Sequence, residues 1–254
     1  MNTTTAAGAA APASPPTHPS ASARAAPIPV WDAPVRVAHW LMVLCFAGAW
    51  LTAESERWRL LHTTLGYTFA GLVAARVAWG FVGTRHARFA AFVRGPRAAW
   101  AYLRGLAHGE APHATGHNPA GAWAIIALLL LGAATTALGW ATDAELRGPL
   151  GLDWGEAHEA AASLMLGLVA VHLAGVLVGS LAHRENLVRA MFTGRKRGAA
   201  GEAIPRARWG VAALLLTLVV SFWAWQWHSA PVDPPATNTQ AGGQPGDQDD
   251  DDDD

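Results

Sequence analysis

The chain has 254 residues, of which 52% are hydrophobic and 15% charged, and its mean hydropathy is +0.18. This composition excludes an ordinary soluble domain, and 13 tryptophans against 2 tyrosines favour a membrane protein, because indole rings collect at the water–lipid boundary. A single cysteine, Cys45, excludes a disulfide framework. The chain contains no G-x-S-x-G or P-loop motif, so no hydrolase or nucleic-acid function is supported.

The two ends of the chain differ sharply from its middle. Residues 1–29 are rich in Ala, Pro, Ser and Thr and have no apolar run, which predicts a disordered leader rather than a secretory signal. Residues 229–254 are polar and finish in six consecutive aspartates, which predicts a disordered acidic tail. The net charge of −1 therefore conceals a basic body joined to an acidic tail.

Between these ends lie five apolar segments, each long enough to cross a membrane as a helix, although the first is only marginally so. Asn118-Pro119 and Asp153 to Glu156 are typical helix starts, the first a cap followed by a proline and the second an acidic capping box. The pattern predicts an all-α membrane protein with spans at residues 37–53, 60–83, 119–142, 156–182 and 209–227.

The loops between these segments predict the orientation of the chain. If the N-terminus is cytoplasmic, the inner segments hold 14 Lys and Arg residues and the outer loops hold three. Because positive charge collects on the cytoplasmic side, we expect a multi-pass protein of the bacterial inner membrane with a periplasmic C-terminal tail.

Two histidines bracket the apolar stretch HEAAASLMLGLVAVHL, residues 158–173. His158 and His172 are fourteen residues apart, nearly four helical turns, so both project from one face at depths that differ by roughly 21 Å. With the predicted topology His39 shares the inner depth of His172, and His62 shares the outer depth of His158.

Paired imidazoles at two depths suit two six-coordinate haems, each needing one axial nitrogen on either face of a flat macrocycle. No C-x-x-C-H motif is present, which argues against covalent attachment. Arg76 lies fourteen residues after His62, at the inner depth, and is a candidate partner for a haem propionate. The blander alternative is that each histidine merely hydrogen-bonds a neighbouring helix and that Arg76 extends to the inner surface.

Other residues have weaker signals. Six glycines would let a macrocycle approach the backbone, or would serve close helix packing: Gly48, Gly66, Gly71, Gly132, Gly167 and Gly175. His86 and His183 fall near the inner surface, where contact with lipid phosphate is favoured over proton transfer to a quinone. The spacing of His108, His113 and His117, in a loop about 36 residues long, is too loose to predict a metal site.

Four stretches together resemble the prokaryotic cytochrome b561 family: WDAPVRVAHW (31–40), LHTTLGYTFAGLVAARVAWGFVGTRHARF (61–89), GHNPAG (116–121) and HEAAASLMLGLVAVHLAGVLVGSLAHRENLVRAMFTGRKR (158–197). The resemblance implies a four-helix transmembrane bundle holding two b haems, which passes electrons between a soluble partner and the quinone pool. It also implies the same four ligands, His39, His62, His158 and His172.

The resemblance divides the chain into a haem domain at residues 30–197 and a region beyond it. Residues 198–228 form a basic linker and a fifth, C-terminal transmembrane helix outside the family's bundle. The acidic tail is either a solvated appendage or a device that attracts a basic cytochrome c.

The leading hypothesis is an electron carrier whose cofactors are two haem b groups, with quinone as diffusible substrate and membrane lipid as surroundings. An alternative is a haem-carrying membrane anchor of a larger oxidoreductase such as a hydrogenase. A remote alternative, a metal or proton transporter, would need acidic groups and broken helices in mid-membrane, which the sequence lacks.

Overall fold

The structure is a computed structural model and describes residues 27–230. The predicted leader up to residue 26 and the tail from residue 231 onward lie outside the described residues. Five helices are long and apolar enough to cross a membrane, as the sequence predicted: α1 (Ala33–Thr52), α2 (Arg59–Val82), α5 (Pro119–Asp143), α6 (Trp154–Ala182) and α8 (Trp209–Ser229).

The remaining elements are short. Helices α3 (Phe89–Phe92) and α4 (Pro96–Ala107) lie between α2 and α5, and α7 (Leu187–Thr193) follows α6. Strand β1 (Pro27–Pro29) pairs antiparallel with β2 (Arg195–Arg197). The predicted 36-residue loop thus contains two helices, of 4 and 12 residues. Residues 27–29, assigned to the leader by sequence, are a paired strand, because their backbone finds its hydrogen-bond partners 168 positions along the chain.

Side-chain caps fix where several helices begin. The Asp32 carboxylate accepts the backbone N–H of Val35 at 2.9 Å and starts α1 four residues before the predicted span. Asn118 caps α5 through the Gly121 N–H at 2.7 Å. Asp153 caps α6 by accepting the N–H groups of Gly155 and Glu156 at 2.7 and 3.1 Å, as the sequence predicted for this helix start.

The spanning helices form two antiparallel hairpins, α1–α2 and α5–α6, which meet along α2 and α5. In contrast, α6 has at most marginal backbone contact with α1 and α2, so side-chain-sized space remains between them. Helix α8 packs against α1 and α2 on the outside of the bundle. The Trp223 indole of α8 donates a hydrogen bond of 2.8 Å to the Thr68 hydroxyl of α2.

Large apolar side chains face both inward and outward, as expected for helices in lipid. Leu51, Val82 and Leu181 are among the most exposed, although they are strongly hydrophobic. The buried core between the helices is small and consists of Ala38, Cys45, Leu65, Phe69, Leu72, Val73, Leu129 and Met165.

Strands β1 and β2 and helices α3, α4 and α7 all lie at one end of the bundle, where α1, α5 and α8 begin and α2 and α6 end. We call it the basic end, because most of the arginines of the chain fall in its loops. The opposite end consists of the short connections 53–58 and 144–153.

A buried carboxylate connects the segments of the basic end. Glu185 is 8% exposed; it accepts the N–H of Arg197 at 2.7 Å and contacts His113 Nε2 at 3.0 Å. Lys196 Nζ lies 3.7 Å from the same carboxylate and donates to the Ala114 carbonyl at 2.8 Å. Burial alone would raise the pKa of Glu185, but the Arg197 N–H, His113 and Lys196 outweigh it, and the pKa lies below its ordinary value.

We predict that Glu185→Gln lowers the stability of the folded chain by about 1–3 kcal/mol, since it leaves Lys196 buried without its carboxylate. The pKa of Glu185 is lower in the folded chain than in the unfolded chain. Its contribution to the stability of the fold is therefore complete above the ordinary carboxyl pKa, and it is lost as the pH falls through the folded pKa. Thermal unfolding in detergent at pH 7 measures the effect. Glu110→Gln, at an exposed position, is the control, and equal midpoints for the two variants would contradict the prediction.

Candidate haem sites

Two of the predicted ligand histidines face each other near the opposite end of the bundle. His62 lies in the first turn of α2 and His158 in the second turn of α6, and their ring centroids are 6.2 Å apart with planes at 85°. Metal–imidazole bonds are about 2 Å long, so two rings on opposite sides of one ion would have centroids about 6 Å apart. The observed separation therefore suits a metal held between them.

Each of these rings is oriented by a backbone carbonyl of a neighbouring helix. His62 Nδ1 lies 2.9 Å from the Ala49 carbonyl of α1, and His158 Nδ1 lies 2.9 Å from the Thr135 carbonyl of α5. A carbonyl accepts only from a protonated nitrogen, so both rings are Nδ1–H tautomers with Nε2 free to bind a metal. Metal-ligating histidines generally use the second nitrogen in this way.

The two rings line a cavity of about 570 Å³, within the range of cofactor pockets. Phe46, Phe69 and Met165 supply apolar walls. At its rim, the Tyr67 hydroxyl donates to Asp143 at 2.6 Å. An apolar chamber with a polar rim suits a flat, largely hydrophobic macrocycle that carries charged groups at one edge.

Glycines shape this chamber in two ways. A Cβ at Gly139 would lie 2.9 Å from His158 Cε1, so only glycine leaves the ring where it is. Gly66 lines the cavity and a Cβ there would meet nothing within 4 Å. Of the other glycines singled out by sequence, Gly48 and Gly132 are packed against Leu65 and Phe69, whereas the remaining three also face open space: Gly71, Gly167 and Gly175.

The second predicted pair, His39 on α1 and His172 on α6, lies closer to the basic end. The two side chains are near enough for the protonation of one to affect the other. His39 Nδ1 is buried and has no hydrogen-bond partner among the described residues, and its ring packs edge-on to Trp40 at 5.1 Å. These two side chains are electrostatic neighbours across the space between α1 and α6.

Arg76, the candidate propionate partner, is buried in α2 near the same end. It is 5% exposed, and its Nη1 has no hydrogen-bond partner among residues 27–230. Its guanidinium lies 5.3 Å above the Phe89 ring. The side chain therefore does not extend to the membrane surface, which was the alternative left open by the sequence.

The structure corrects the interpretation of the surface histidines. His86 is 8% exposed with Nε2 2.7 Å from the Glu202 carbonyl, so residues 199–204 cover it and it cannot contact lipid freely. His183 Nε2 lies 3.0 Å from the Tyr102 hydroxyl of α4. The favoured lipid-phosphate role is wrong for His86, and His183 is bound to protein as well.

His117, which the sequence did not single out, is enclosed by aromatic rings. Its centroid lies 4.5 Å from Trp31 and 4.4 Å from Phe92, and its Nδ1 is buried without a partner among the described residues. Its position directly before the Asn118 cap was the available signal, because a cap fixes the preceding residue against the bundle.

Among the described residues, no three His, Cys, Asp or Glu side chains converge as ligands of one metal ion. The four predicted ligand histidines instead form two pairs. Such pairs suit a metal whose other ligands are supplied by a macrocycle.

Comparison with known proteins identifies the family of the chain. The family model for prokaryotic cytochrome b561 matches residues 30–194. Two curated relatives, each named "Probable Ni/Fe-hydrogenase 1 B-type cytochrome subunit", come from Escherichia coli strains K12 and O157:H7. Each is 33% identical over 89 residues, which cover 28% of this chain and 38% of the relative. The match thus spans well under half of these relatives.

No solved structure matches the chain. The family match nevertheless covers more than half of the sequence and includes α1, α2, α5 and α6. The chain belongs to the prokaryotic cytochrome b561 family and is a multi-pass membrane protein of the b-type haem electron-transfer class.

Proposed function

We propose that the chain carries two b haems in one bundle, one held by His62 and His158 and the other by His39 and His172. Electrons pass between the quinone pool and a soluble or periplasmic redox partner. The observation that supports this most directly is the pair His62 and His158, whose ring centroids lie 6.2 Å apart with planes at 85° and whose Nδ1 atoms are both bound to carbonyls.

Bound haem b supplies a one-electron carrier that alternates between ferric and ferrous iron. With a histidine on each face no coordination position stays open, which favours electron transfer over oxygen or substrate chemistry. The chain's contribution is to hold the four imidazoles, to exclude water with the apolar walls, and to set the electrostatic environment of each site.

Arg76 supports the assignment of a haem to the basic end. A buried guanidinium without a direct ion pair is costly in a membrane helix, and a haem propionate would supply a carboxylate within bonding distance of Nη1. The site of His62 and His158 has its polar groups at the rim of its cavity. Tyr67 hydrogen-bonds Asp143 there, and Arg59 lies 3.8 Å from the same carboxylate.

Quinone is proposed as the diffusible substrate, in keeping with a redox protein that lies within the lipid. Inner-membrane location, a cytoplasmic N-terminus and a periplasmic C-terminus form part of the same proposal, supported by the concentration of arginine at one end of the bundle. The predicted docking of a basic cytochrome c involves the acidic tail, outside the described residues.

A second candidate function is that of a membrane subunit within a larger oxidoreductase. It is favoured by the relatives' printed name, which describes a cytochrome subunit of a hydrogenase. Affinity purification from the native membrane, followed by mass spectrometry and dye-reduction assays, separates the two. A stoichiometric catalytic subunit would support the anchor role, and an isolated chain that retains quinone-linked reduction would support the independent carrier.

We predict that the purified chain shows a b-type α band on dithionite reduction, with two haems per polypeptide. The reason is that each pair of imidazoles provides one complete axial set. A pyridine haemochrome assay measures the number of haems. Absence of haem after expression with adequate haem supply would refute the proposed function.

We predict that the four ligand substitutions fall into two pairs, and that both members of a pair remove the same haem. His62→Ala and His158→Ala should each lose the same haem, and His39→Ala and His172→Ala the other, leaving one haem per chain in every case. Haem content and redox titration of each variant provide the test. His108→Ala is the control, since the His108 side chain hydrogen-bonds only the Arg104 carbonyl of its own helix end among the described residues. If the two members of a pair removed different haems, the pairing would be wrong.

We predict that Gly139→Ala perturbs one haem selectively. The added Cβ would lie 2.9 Å from His158 Cε1, so the ring must move away from its position. We expect a shifted midpoint or reduced occupancy for the haem that His158→Ala loses, and an unchanged second haem. Gly210→Ala in α8, where a Cβ meets nothing within 4 Å, is the matched control, and identical redox titrations for the two variants would contradict the prediction.

A further inference from the structure

Arg76 and His117 are buried polar side chains at the basic end of the bundle. Arg76 Nη1 and His117 Nδ1 each lack a hydrogen-bond partner among the described residues. They are electrostatic neighbours, and His172 acts on His117 as well. Burying such donors without an acceptor costs about 1–3 kcal/mol each, so a ligand that supplies the acceptor is expected.

Arg76 and His117 each pack against a phenylalanine of the short helix α3. Phe89 and Phe92 of α3 pack against each other at 5.8 Å, and they support Arg76 at 5.3 Å and His117 at 4.4 Å respectively. The Phe89 ring occupies the space where a Cβ of Gly80 would lie, since the separation would be only 2.1 Å. One short aromatic cluster therefore connects Arg76 with His117 and brings the two side chains into the same part of the basic end.

The carboxylates of this end are already bound to other groups. Asp32 accepts from the Val35 N–H, the Trp79 indole at 2.9 Å and the Thr84 hydroxyl at 2.7 Å.

Glu202 accepts from Thr115 at 2.8 Å and from the Ala199 N–H at 3.1 Å, and Glu185 binds Lys196, His113 and Arg197. Within residues 27–230 no ion pair joins any of these carboxylates to Arg76. The Asp32 carboxylate acts on Arg76 at longer range without forming an ion pair with it, so Arg76 Nη1 remains available to an anion from a bound group.

His117 is a neutral hydrogen-bond donor at this position. Burial first, and then the charges of Arg76, Lys196, His86 and His172, lower the pKa of His117 to about 3. A neutral imidazole carries one N–H, and it can donate to an anion without adding a second positive charge beside Arg76.

We propose that Arg76 and His117 together bind one carboxylate of the macrocycle held between His39 and His172, Arg76 as its charge partner and His117 as its second hydrogen-bond donor. This inference rests on the proposed function and assigns a role to His117 that the ligand set does not require. His117 is a positioning residue, because it touches the edge of the cofactor and not its iron.

Loss of a donor should shift the reduction potential of one haem only. An unpaired carboxylate places more negative charge near the iron and favours the ferric form, so the midpoint falls. We expect His117→Phe to lower the midpoint of the haem that remains in His62→Ala, and His117→Gln, which keeps an N–H donor, to restore most of it. Arg76→Gln should shift the same midpoint in the same direction, and the double variant should shift it by less than the sum.

Optical redox titration of the detergent-solubilised full chain, alone and in the His62→Ala background, measures these midpoints. His108→Ala and Arg88→Gln are matched controls from the same connection. Loss of the haem in His117→Phe with retention in His117→Gln would also support the proposal.

Three results would overturn the proposal. The first is an unchanged midpoint in His117→Phe, and the second is a shift confined to the haem that His62→Ala loses. The third is equal loss of haem in both His117 variants, which would indicate a structural role. A wild-type chain that binds no haem would instead overturn the proposed function itself.

Discussion

The interaction on which the structure depends is the hydrogen bond between a histidine inside the membrane and a backbone carbonyl of the adjacent helix. In the pair near the opposite end, one nitrogen of each ring binds a carbonyl of an adjacent helix, Ala49 for His62 and Thr135 for His158. The carbonyls fix the tautomer of each ring and leave its second nitrogen available to a metal. A helix pair that supplied histidines without these acceptors would leave the rings free to rotate away from a common axis.

Much of this arrangement could be predicted from the sequence, because it follows from helical geometry. The fourteen-residue separation of His158 and His172 predicts both on one face at two depths, and the alternating helix directions predict that His39 lies level with His172 and His62 with His158. The five spans and the family were confirmed. The orientation of each ring was not predictable, since it depends on which carbonyl of a neighbouring helix lies within 3 Å.

The basic end was the least predictable region, and the reason is physical. Its structure comes from contacts between residues far apart in sequence, such as Glu185 with Lys196 and His113. No periodicity signals such contacts, so α4 was taken for loop and His86 for a surface residue. For the same reason the sequence assigned His117 no role beyond a loosely spaced loop histidine, since its enclosure by Trp31 and Phe92 exists only after three separate segments have met.

The strand pair β1–β2 ties together residues separated by most of the described chain. Ile28 faces Lys196 in the register, and the Gly194 carbonyl accepts from the backbone N–H groups of Val30 and Trp31 at 2.8 and 3.0 Å. On the ribosome, the first of these segments is made long before the second. Strand β1 therefore stays unpaired until the four membrane-spanning helices α1, α2, α5 and α6 have been synthesised and inserted. The basic end closes only after α7 and β2 have left the ribosomal exit tunnel.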